Sequence, residues 1–411
     1  MKRSISRTFL LLAFLLLATG NASAQGKGRF SLLTCSSGQE VWNRFGHTAL
    51  RYEDPGSGID WVYNYGVFSF SAPNFILRFM LGQTDYMLQK ETFQSFMFGY
   101  QMQGRGVTAL YLDLDEDQSQ ELLESLETNA RKENRTYRYN FFFDNCSTRV
   151  RDKIRQVVPD LEMSLDVEGK SFRSVINSYL EDCPWYKTGI SLLVGKRADE
   201  ALSSEEAMFA PELLEEAILR STVHSDGAHR PLVSQAVRLL DPVETPEESF
   251  WSGLLTPLRL ALILLCALCL LCIRDIKKGR MSLWADITVF SIMGLAGCLI
   301  LFMALLSEHP AMSPNYCLLV LSPLYLILLP VVIRESKRPT WPHGLLIAGL
   351  PCFVAILFWV LMDQRMPSML LVLALFPLLR SLTQAAIASK VQEKEKDKKN
   401  FRKNPREKTR Q

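Results

Sequence analysis

Hydrophobic and polar residues divide the chain into two regions. Residues 25–250 mix apolar and polar positions as globular domains do, whereas residues 251–390 are dominated by Leu, Ile, Val, Phe and Ala. Within the second region, five apolar stretches each approach the roughly 20 residues that a helix needs to cross a bilayer. They cover residues 254–273, 283–306, 316–333, 344–362 and 368–389. The pattern predicts a globular domain followed by an all-α transmembrane domain of five spans.

Basic residues are distributed unevenly over the loops between these stretches. Lys and Arg are dense between the first two stretches and follow the third, whereas Ser307–Asn315 has neither. Because basic loops remain on the cytoplasmic side of a membrane, the first span is expected to enter from outside. The basic tail of residues 391–411 is then predicted to lie in the cytoplasm.

The composition of the tail also bears on its partners. The net charge of the whole chain is only +3, and the tail is dense in Lys and Arg. Apart from Phe401, no aromatic residue interleaves with those charges, unlike the stacking platforms of nucleic-acid sites. We interpret the tail as a solvated segment and expect no nucleic-acid partner.

The first residues have the form of a signal peptide covering residues 1–24. Three basic residues precede the apolar run Phe9–Ala18, and Ala22-Ser23-Ala24 is a small-residue cleavage site. An uncleaved anchor is the alternative, but the short apolar run and the Ala-Ser-Ala end favour cleavage. Together with the loop charges, this predicts a bacterial inner-membrane protein whose globular domain, residues 25–250, lies in the periplasm.

Alternation and turn signals predict an α+β fold for the globular domain. Strands are predicted at Phe30–Leu33, His47–Tyr52, Trp61–Val67, Gly106–Leu114 and Tyr137–Phe143, and helices over 116–131 and Cys146–Val157. The turn sequence from Asp54 to Gly58 predicts a hairpin. Residues 160–250 look mostly helical, and Pro242–Glu248 is a plausible linker. The expected core is a small antiparallel sheet with helices.

Cys146 is the candidate nucleophile among three cysteines outside the membrane, the others being Cys35 and Cys183. It follows Asp144-Asn145, good N-cap residues, at a predicted helix start. Backbone N–H groups and the helix dipole there favour a thiolate and can stabilise an oxyanion. Cys35 and Cys183 could then pair with each other. A buried structural role for Cys146 is the alternative.

A thiol nucleophile needs a base, and the chain has five histidines. His47 begins a predicted strand, a rigid position suited to a base, whereas the others lie in flexible-looking stretches, in an outer loop or at a membrane edge. A lone histidine there can also be structural. Asn64, on the neighbouring strand, is the candidate orienting group. No His or Cys spacing outside the membrane fits a metal site, and no cofactor is expected.

Three motifs carry a family resemblance. They are Gly46-His47-Thr48-Ala49-Leu50-Arg51, Asn64-Tyr65-Gly66 and Asp144-Asn145-Cys146-Ser147-Thr148-Arg149. Together they resemble the Lnb-type periplasmic domain, and their order resembles permuted papain-like (NlpC/P60-like) folds of the lecithin–retinol acyltransferase group. The motifs cover about residues 30–155, and the signal peptide and spans extend the likeness to most of the chain. The resemblance implies N-acylation of bacterial lipoproteins, with His47 and Cys146 as the catalytic pair.

The expected reaction is a ping-pong acyl transfer. Cys146 would take an acyl chain from a membrane phospholipid as a thioester, and the amine of a diacylglyceryl-cysteine lipoprotein would accept it. Substrates bound to the membrane would explain five spans on a thiol enzyme. One alternative is a membrane-anchored cysteine peptidase or amidase acting on the cell wall. Another is a scaffold in which Cys146 pairs with Cys35 or Cys183.

Two features leave their roles open. An apolar stretch separates the two catalytic motifs, and it could contact lipid or belong to the core. Its members are Phe68, Phe70, Phe75, Ile76, Phe79, Met80 and Met87. Arg380 falls within the last predicted span, where a charge is either functional or extends toward the cytoplasmic surface.

Overall fold

The structure, a computed structural model, describes residues 28–71, 73–225, 228–243, 255–337 and 340–403. The predicted signal peptide and most of the predicted linker lie outside these residues. The described chain forms two compact units. The sheet unit comprises residues 28–71, 85–167, 203–225 and 228–243, and the helical unit comprises residues 73–84, 168–202, 255–337 and 340–403.

Short strands and helices alternate up to Leu240, and the chain is helical thereafter. The strands are β1 (Arg29–Cys35), β2 (His47–Asp54), β3 (Ile59–Val67), β4 (Asp85–Thr92), β5 (Val107–Leu112), β6 (Thr136–Arg138), β7 (Leu161–Glu162), β8 (Thr222–Ser225), β9 (Ala228–Pro231) and β10 (Val233–Leu240). The α-helices are α1 (Phe75–Met80), α2 (Phe93–Met102), α3 (Glu116–Ala130), α4 (Cys146–Val157), α5 (Phe172–Ser178), α6 (Pro184–Leu193), α7 (Ser204–Ala207), α8 (Pro211–Leu219), α9 (Pro257–Lys278), α10 (Leu283–Leu306), α11 (Leu324–Lys337), α12 (His343–Phe358) and α13 (Met369–Lys403). Single 3-10 turns cover Lys196–Asp199, Tyr316–Leu319 and Trp359–Leu361.

The sheet unit is built on seven antiparallel strands in the order β10-β5-β1-β2-β3-β4-β6. The β1–β2 register places Cys35 opposite His47. Val150, Ile154 and Val157 recur at helical spacing on α4 and are buried. This face packs α4 against β2 and β3, so the first turn of the helix lies beside the start of β2.

Most predicted elements of the globular domain are confirmed, and the helix at Cys146–Val157 has the predicted bounds. The prediction of a strand through Phe143 is wrong. Strand β6 ends at Arg138 because the side chain of Asn140 accepts hydrogen bonds from the amides of Phe142 and Phe143 and closes a turn. The sheet is also larger than predicted, since β4 and β10 join it.

Five helices among the described residues of the helical unit are long and apolar enough to cross a membrane. They lie at Pro257–Lys278, Leu283–Leu306, Tyr316–Lys337, His343–Leu361 and Met369–Lys399. Each coincides with one of the five predicted spans. The third opens with a 3-10 turn before α11, which contains Pro330. The last continues into the basic tail as α13.

Arg380 on α13 is buried between two aspartates from other helices. Its Nε lies 2.5 Å from Oδ1 of Asp286 on α10, and its Nη1 lies 2.9 Å from Oδ2 of Asp275 on α9. Only 2% of the Arg380 side chain is exposed. The interpretation of Arg380 as a side chain extending to the membrane surface is therefore wrong, because its charge joins three helices.

Candidate active site

His47 is positioned by a sharp entry into β2. Gly46 has φ +76°, and a Cβ there would lie 2.9 Å from the carbonyl oxygen of Cys35. Only glycine combines this left-handed conformation with so close a backbone approach. The turn places His47 at the first position of β2. The next residue, Thr48, contacts the first turn of α4, with its Oγ1 3.1 Å from Ser147 Oγ.

Cys146 is the first residue of α4, and Asn145 caps the helix. Asn145 Oδ1 accepts hydrogen bonds from the amides of Ser147 and Thr148 at 2.8 and 2.9 Å. Asn145 Nδ2 donates to the carbonyl oxygens of Phe141 and Phe209. Hydrogen bonds therefore fix both the oxygen and the nitrogen of the Asn145 side-chain amide. Cys146 lies at the helix N-terminus, where a negative charge is favoured.

His47 contacts Cys146 with one ring nitrogen and Asn64 with the other. The Cys146 side chain is hydrogen-bonded to His47, and His47 Nε2 lies 2.6 Å from Asn64 Oδ1. The nitrogen that faces the thiol is therefore Nδ1. The structure brings together the three predicted site residues on β2, β3 and the start of α4.

A carboxylate behind Asn64 determines the orientation of its amide. Asn64 Nδ2 donates to Glu91 Oε1 at 3.2 Å, and an ionised carboxylate can only accept. The amide nitrogen therefore faces Glu91, and the oxygen faces His47. His47 Nε2 must then carry a proton, which leaves Nδ1 to exchange a proton with Cys146.

The His47 imidazole and the Cys146 thiol shift each other's pKa. Burial alone lowers the pKa of His47, but the charge of the Cys146 thiolate and hydrogen bonds with Cys146 and Asn64 raise it above its ordinary value. Burial alone raises the pKa of Cys146, but the His47 charge and hydrogen bonds from His47, the Thr48 amide and the Ser147 side chain lower it. Both shifts favour a thiolate–imidazolium pair.

Cys35 is a second thiol in the same sheet, with the opposite character. Burial raises the pKa of Cys35 to about 12, against the lowering effects of Arg105 and of a hydrogen bond from Tyr100. It is a free thiol, so the pairing with Cys183 that the sequence left open is not formed in the structure. Cys146 is also a free thiol, contrary to the scaffold alternative in which it forms a disulfide.

Sequence reasoning missed Glu91, Gly66 and Tyr100. Gly66 has φ +90°, and a Cβ there would lie 3.6 Å from the Cys146 Cβ and 3.7 Å from the His47 Cε1. Tyr100 stacks on His47 with 6.5 Å between ring centroids. The Asn64-Tyr65-Gly66 motif contained a signal for Gly66. Glu91 and Tyr100 lie on β4 and α2, which the sequence pattern did not predict.

The arrangement can perform nucleophilic catalysis by a thiol. A thiolate attacks an electrophilic carbonyl, and the neighbouring imidazolium supplies a proton to the leaving group. Within the described residues there is no group of three or more His, Cys, Asp and Glu side chains that could hold a metal ion.

Comparison with protein families matches both parts of the chain. The model of the Lnb N-terminal periplasmic domain matches residues 22–178, and that of the Lnb transmembrane domain matches residues 247–392. No curated protein and no solved structure matches the chain. The periplasmic domain and five apolar helices are those of a multi-pass inner-membrane protein. The chain belongs to the Lnb family of lipoprotein N-acyltransferases.

Proposed function

We propose that the chain transfers an acyl chain from a membrane phospholipid to the N-terminal amine of a diacylglyceryl-cysteine lipoprotein, with Cys146, His47 and Asn64 as its catalytic residues. The observation that carries the proposal is the contact of His47 with Asn64 through one ring nitrogen and with Cys146, at a helix start, through the other. Such a pair is the activated form of a thiol nucleophile. The membership of both domains in the Lnb family supports lipoproteins as the acceptor class.

In the first half-reaction, the Cys146 thiolate attacks the carbonyl carbon of a phospholipid ester. A C–S bond forms and gives a tetrahedral intermediate. The bond between the carbonyl carbon and the glycerol oxygen then breaks. His47 Nδ1–H gives its proton to the departing alkoxide, so a lysophospholipid leaves and His47 becomes neutral.

In the second half-reaction, the neutral amine of the lipoprotein attacks the thioester carbonyl. His47 Nδ1 accepts a proton from the amine as the C–N bond forms. The C–S bond then breaks. The amide product is released, and the thiolate–imidazolium pair of Cys146 and His47 is regenerated. No oxidant, metal or nucleotide is consumed.

The oxyanion of both tetrahedral intermediates needs hydrogen-bond donors. The amides of Ser147 and Thr148 already donate to Asn145. We therefore assign the amide of Cys146 as the donor from the helix start. The Thr48 amide, which contacts the Cys146 sulfur, stabilises the thiolate between turnovers.

The basic loops place the C-terminus in the cytoplasm in this proposal. An odd number of membrane-length apolar helices follows the periplasmic domain within the described residues, which supports a C-terminus on the opposite side of the membrane. An alkaline phosphatase fusion after residue 403 should be inactive, and an active fusion would contradict the assignment.

The proposal is tested by mass spectrometry of a lipoprotein N-terminus. The cells lack their own lipoprotein N-acyltransferase and express the wild-type chain, Cys146→Ala or the control Cys35→Ala. We expect one added acyl chain with the wild type and with Cys35→Ala, and none with Cys146→Ala. If the wild type reaches the membrane and adds no chain, acyl transfer to that acceptor is excluded.

The donor and the intermediate are tested with purified protein and a phospholipid carrying labelled acyl chains. Without acceptor, the label should appear on the peptide that contains Cys146 and should be released by hydroxylamine, as thioesters are. Release of labelled fatty acid without a trapped thioester and without transfer would instead indicate a hydrolase.

A further inference from the structure

We propose that α1 and α6, two helices that precede the spans in sequence, lie in the periplasmic leaflet of the bilayer and insert apolar side chains among its phospholipids. Both helices belong to the helical unit. The inference concerns membrane contact alone and does not depend on the reaction catalysed at Cys146.

The apolar side chains of α1 face outward. None of its six residues is buried, and Ile76 and Leu77 are 75% and 51% exposed. Core packing, one of the two roles considered for this stretch, is therefore wrong for α1. Clustered exposed apolar side chains indicate a surface that contacts lipid or protein.

Hydrogen bonds hold α1 at the periplasmic end of α10. Ser307 Oγ donates to the carbonyl oxygen of Met80 at 2.7 Å, and the Glu308 amide donates to that of Leu81 at 2.9 Å. His309 Nε2 lies 2.9 Å from the carbonyl oxygen of Phe79. These contacts begin at the residue that follows α10, so α1 lies at the depth where that span ends.

The length of α10 sets that depth. Its 24 residues extend about 36 Å at 1.5 Å per residue, somewhat more than the roughly 30 Å of hydrocarbon. Since α9 follows the periplasmic domain and enters the membrane, α10 returns to the periplasmic side. The end of α10, and α1 with it, is therefore placed at the headgroup layer of that leaflet.

Helix α6 is held at the same side by a separate set of contacts. Trp185 Nε1 donates to the carbonyl oxygen of Leu255 at 2.8 Å, next to Thr256, the N-cap of α9. After α6, the Gly195 amide donates to the carbonyl oxygen of Ala311 at 2.7 Å, in the loop that follows α10. The indole ring of Trp185 is nevertheless half exposed, as is typical of aromatic residues at membrane interfaces.

Phospholipid is the occupant because these surfaces continue the lipid-facing surfaces of the spans. Leu305 and Leu306, the last residues of α10, are exposed, and the chain passes directly from them to the contacts with α1. A short helix whose apolar side chains face outward at this level fits an interfacial element lying in the plane of the leaflet.

The test places a photo-crosslinking residue, p-benzoyl-phenylalanine, in the full-length chain in bacterial membranes. Position 76 on α1 and position 185 on α6 are the test sites. Position 299 is the positive control, since Leu299 is an exposed residue within α10, and position 124 is the negative control, since Glu124 is an exposed charged residue on α3.

After irradiation, mass spectrometry of the labelled peptides identifies the partner. We expect phospholipid adducts at 76, 185 and 299, and at least tenfold less adduct at 124. Lipid adducts at 299 without adducts at 76 would overturn the inference for α1, and the same result at 185 would overturn it for α6. Adducts at 76 or 185 to a protein instead of phospholipid would also overturn it.

Discussion

Glu91 determines which end of the Asn64 amide faces His47. Its Oε1 accepts a hydrogen bond from Asn64 Nδ2 at 3.2 Å, while its Oε2 accepts one from Ser95 Oγ at 3.1 Å. The carboxylate is thus held by strand β4 and the first turn of α2. It supports a chain of contacts that ends at the Cys146 thiol.

Removing the orienting group should slow the reaction without abolishing it. We expect Asn64→Ala to lower kcat about 10-fold to 100-fold, since a hydrogen bond to a charged group contributes roughly 1.5–3 kcal/mol. Glu91→Ala should have a smaller effect, and Glu91→Gln should retain activity because its amide oxygen can still accept. Rates of lipoprotein N-acylation check this order. A wild-type rate in Asn64→Ala would show that Asn64 does not contribute to the reaction.

The ion pair predicts how the reactivity of Cys146 depends on pH. The pKa of Cys146 is lowered and that of His47 is raised, and both shifts favour the charged pair. Alkylation of Cys146 should therefore reach its plateau below the ordinary thiol pKa of about 8.5. Acylation should decline once the pH passes the raised pKa of His47, because the imidazolium that protonates the leaving group is lost.

Removing the imidazole of His47 should reverse the lowering of the Cys146 pKa. In His47→Gln only burial and neutral contacts remain, so the alkylation midpoint should rise above the ordinary value. Peptide-resolved mass spectrometry separates Cys146 from Cys35, which should stay unreactive up to about pH 11 because its pKa is about 12. An unchanged midpoint in His47→Gln would contradict the pairing.

Gly66 and Gly58 form a matched pair that tests whether the open space beside His47 and Cys146 is needed for activity. Both have positive φ, +90° and +66°, but a Cβ at Gly58 meets nothing within 4 Å. Each change to Ala should cost about 1–2 kcal/mol of unfolding free energy through backbone strain. Only Gly66→Ala should also lower kcat/KM beyond this loss, because its methyl group would fill the open space beside His47 and Cys146, at van der Waals distance from both. Equal activities in the two folded variants would show that the space beside Gly66 is not needed for activity.

The cluster of Arg380, Asp275 and Asp286 should be sensitive to the loss of one charge. Arg380→Met leaves two buried aspartates without their shared cation, and we expect a loss of about 3–5 kcal/mol in unfolding free energy. Adding Asp275→Asn and Asp286→Asn should restore much of it. Thermal unfolding in detergent checks the comparison. A single variant as stable as the wild type would show that the cluster contributes no net stabilisation.

Local signals were sufficient to predict His47, Cys146 and Asn64 as candidate site residues, and the structure brings their side chains into contact. Each belongs to a short motif at the start of an element or on a strand with clear alternation, and the turn or cap beside it depends on neighbouring residues. The five spans were predictable for a related reason, because apolar length alone identifies them.

The missed features depend on residues that are distant in sequence. Glu91 reaches the site only because β4 pairs with β3, and β10 joins the sheet beside β5 through pairs such as Val237 with Ala109. Similarly, nothing near Arg380 in sequence identifies its two aspartate partners. Pairings of this kind are set by packing of the whole unit, which a local pattern does not contain.

The membership of residues 73–84 and 168–202 in the helical unit affects how the protein can be dissected. A fragment ending near residue 250 would keep α1 and α6 but lose Ser307, Glu308 and Ala311, to which those segments are hydrogen-bonded. Exposed apolar helices without their supports favour aggregation. Secretion of the N-terminal half as an autonomous soluble domain should therefore fail, although Cys146 and His47 both precede the first span.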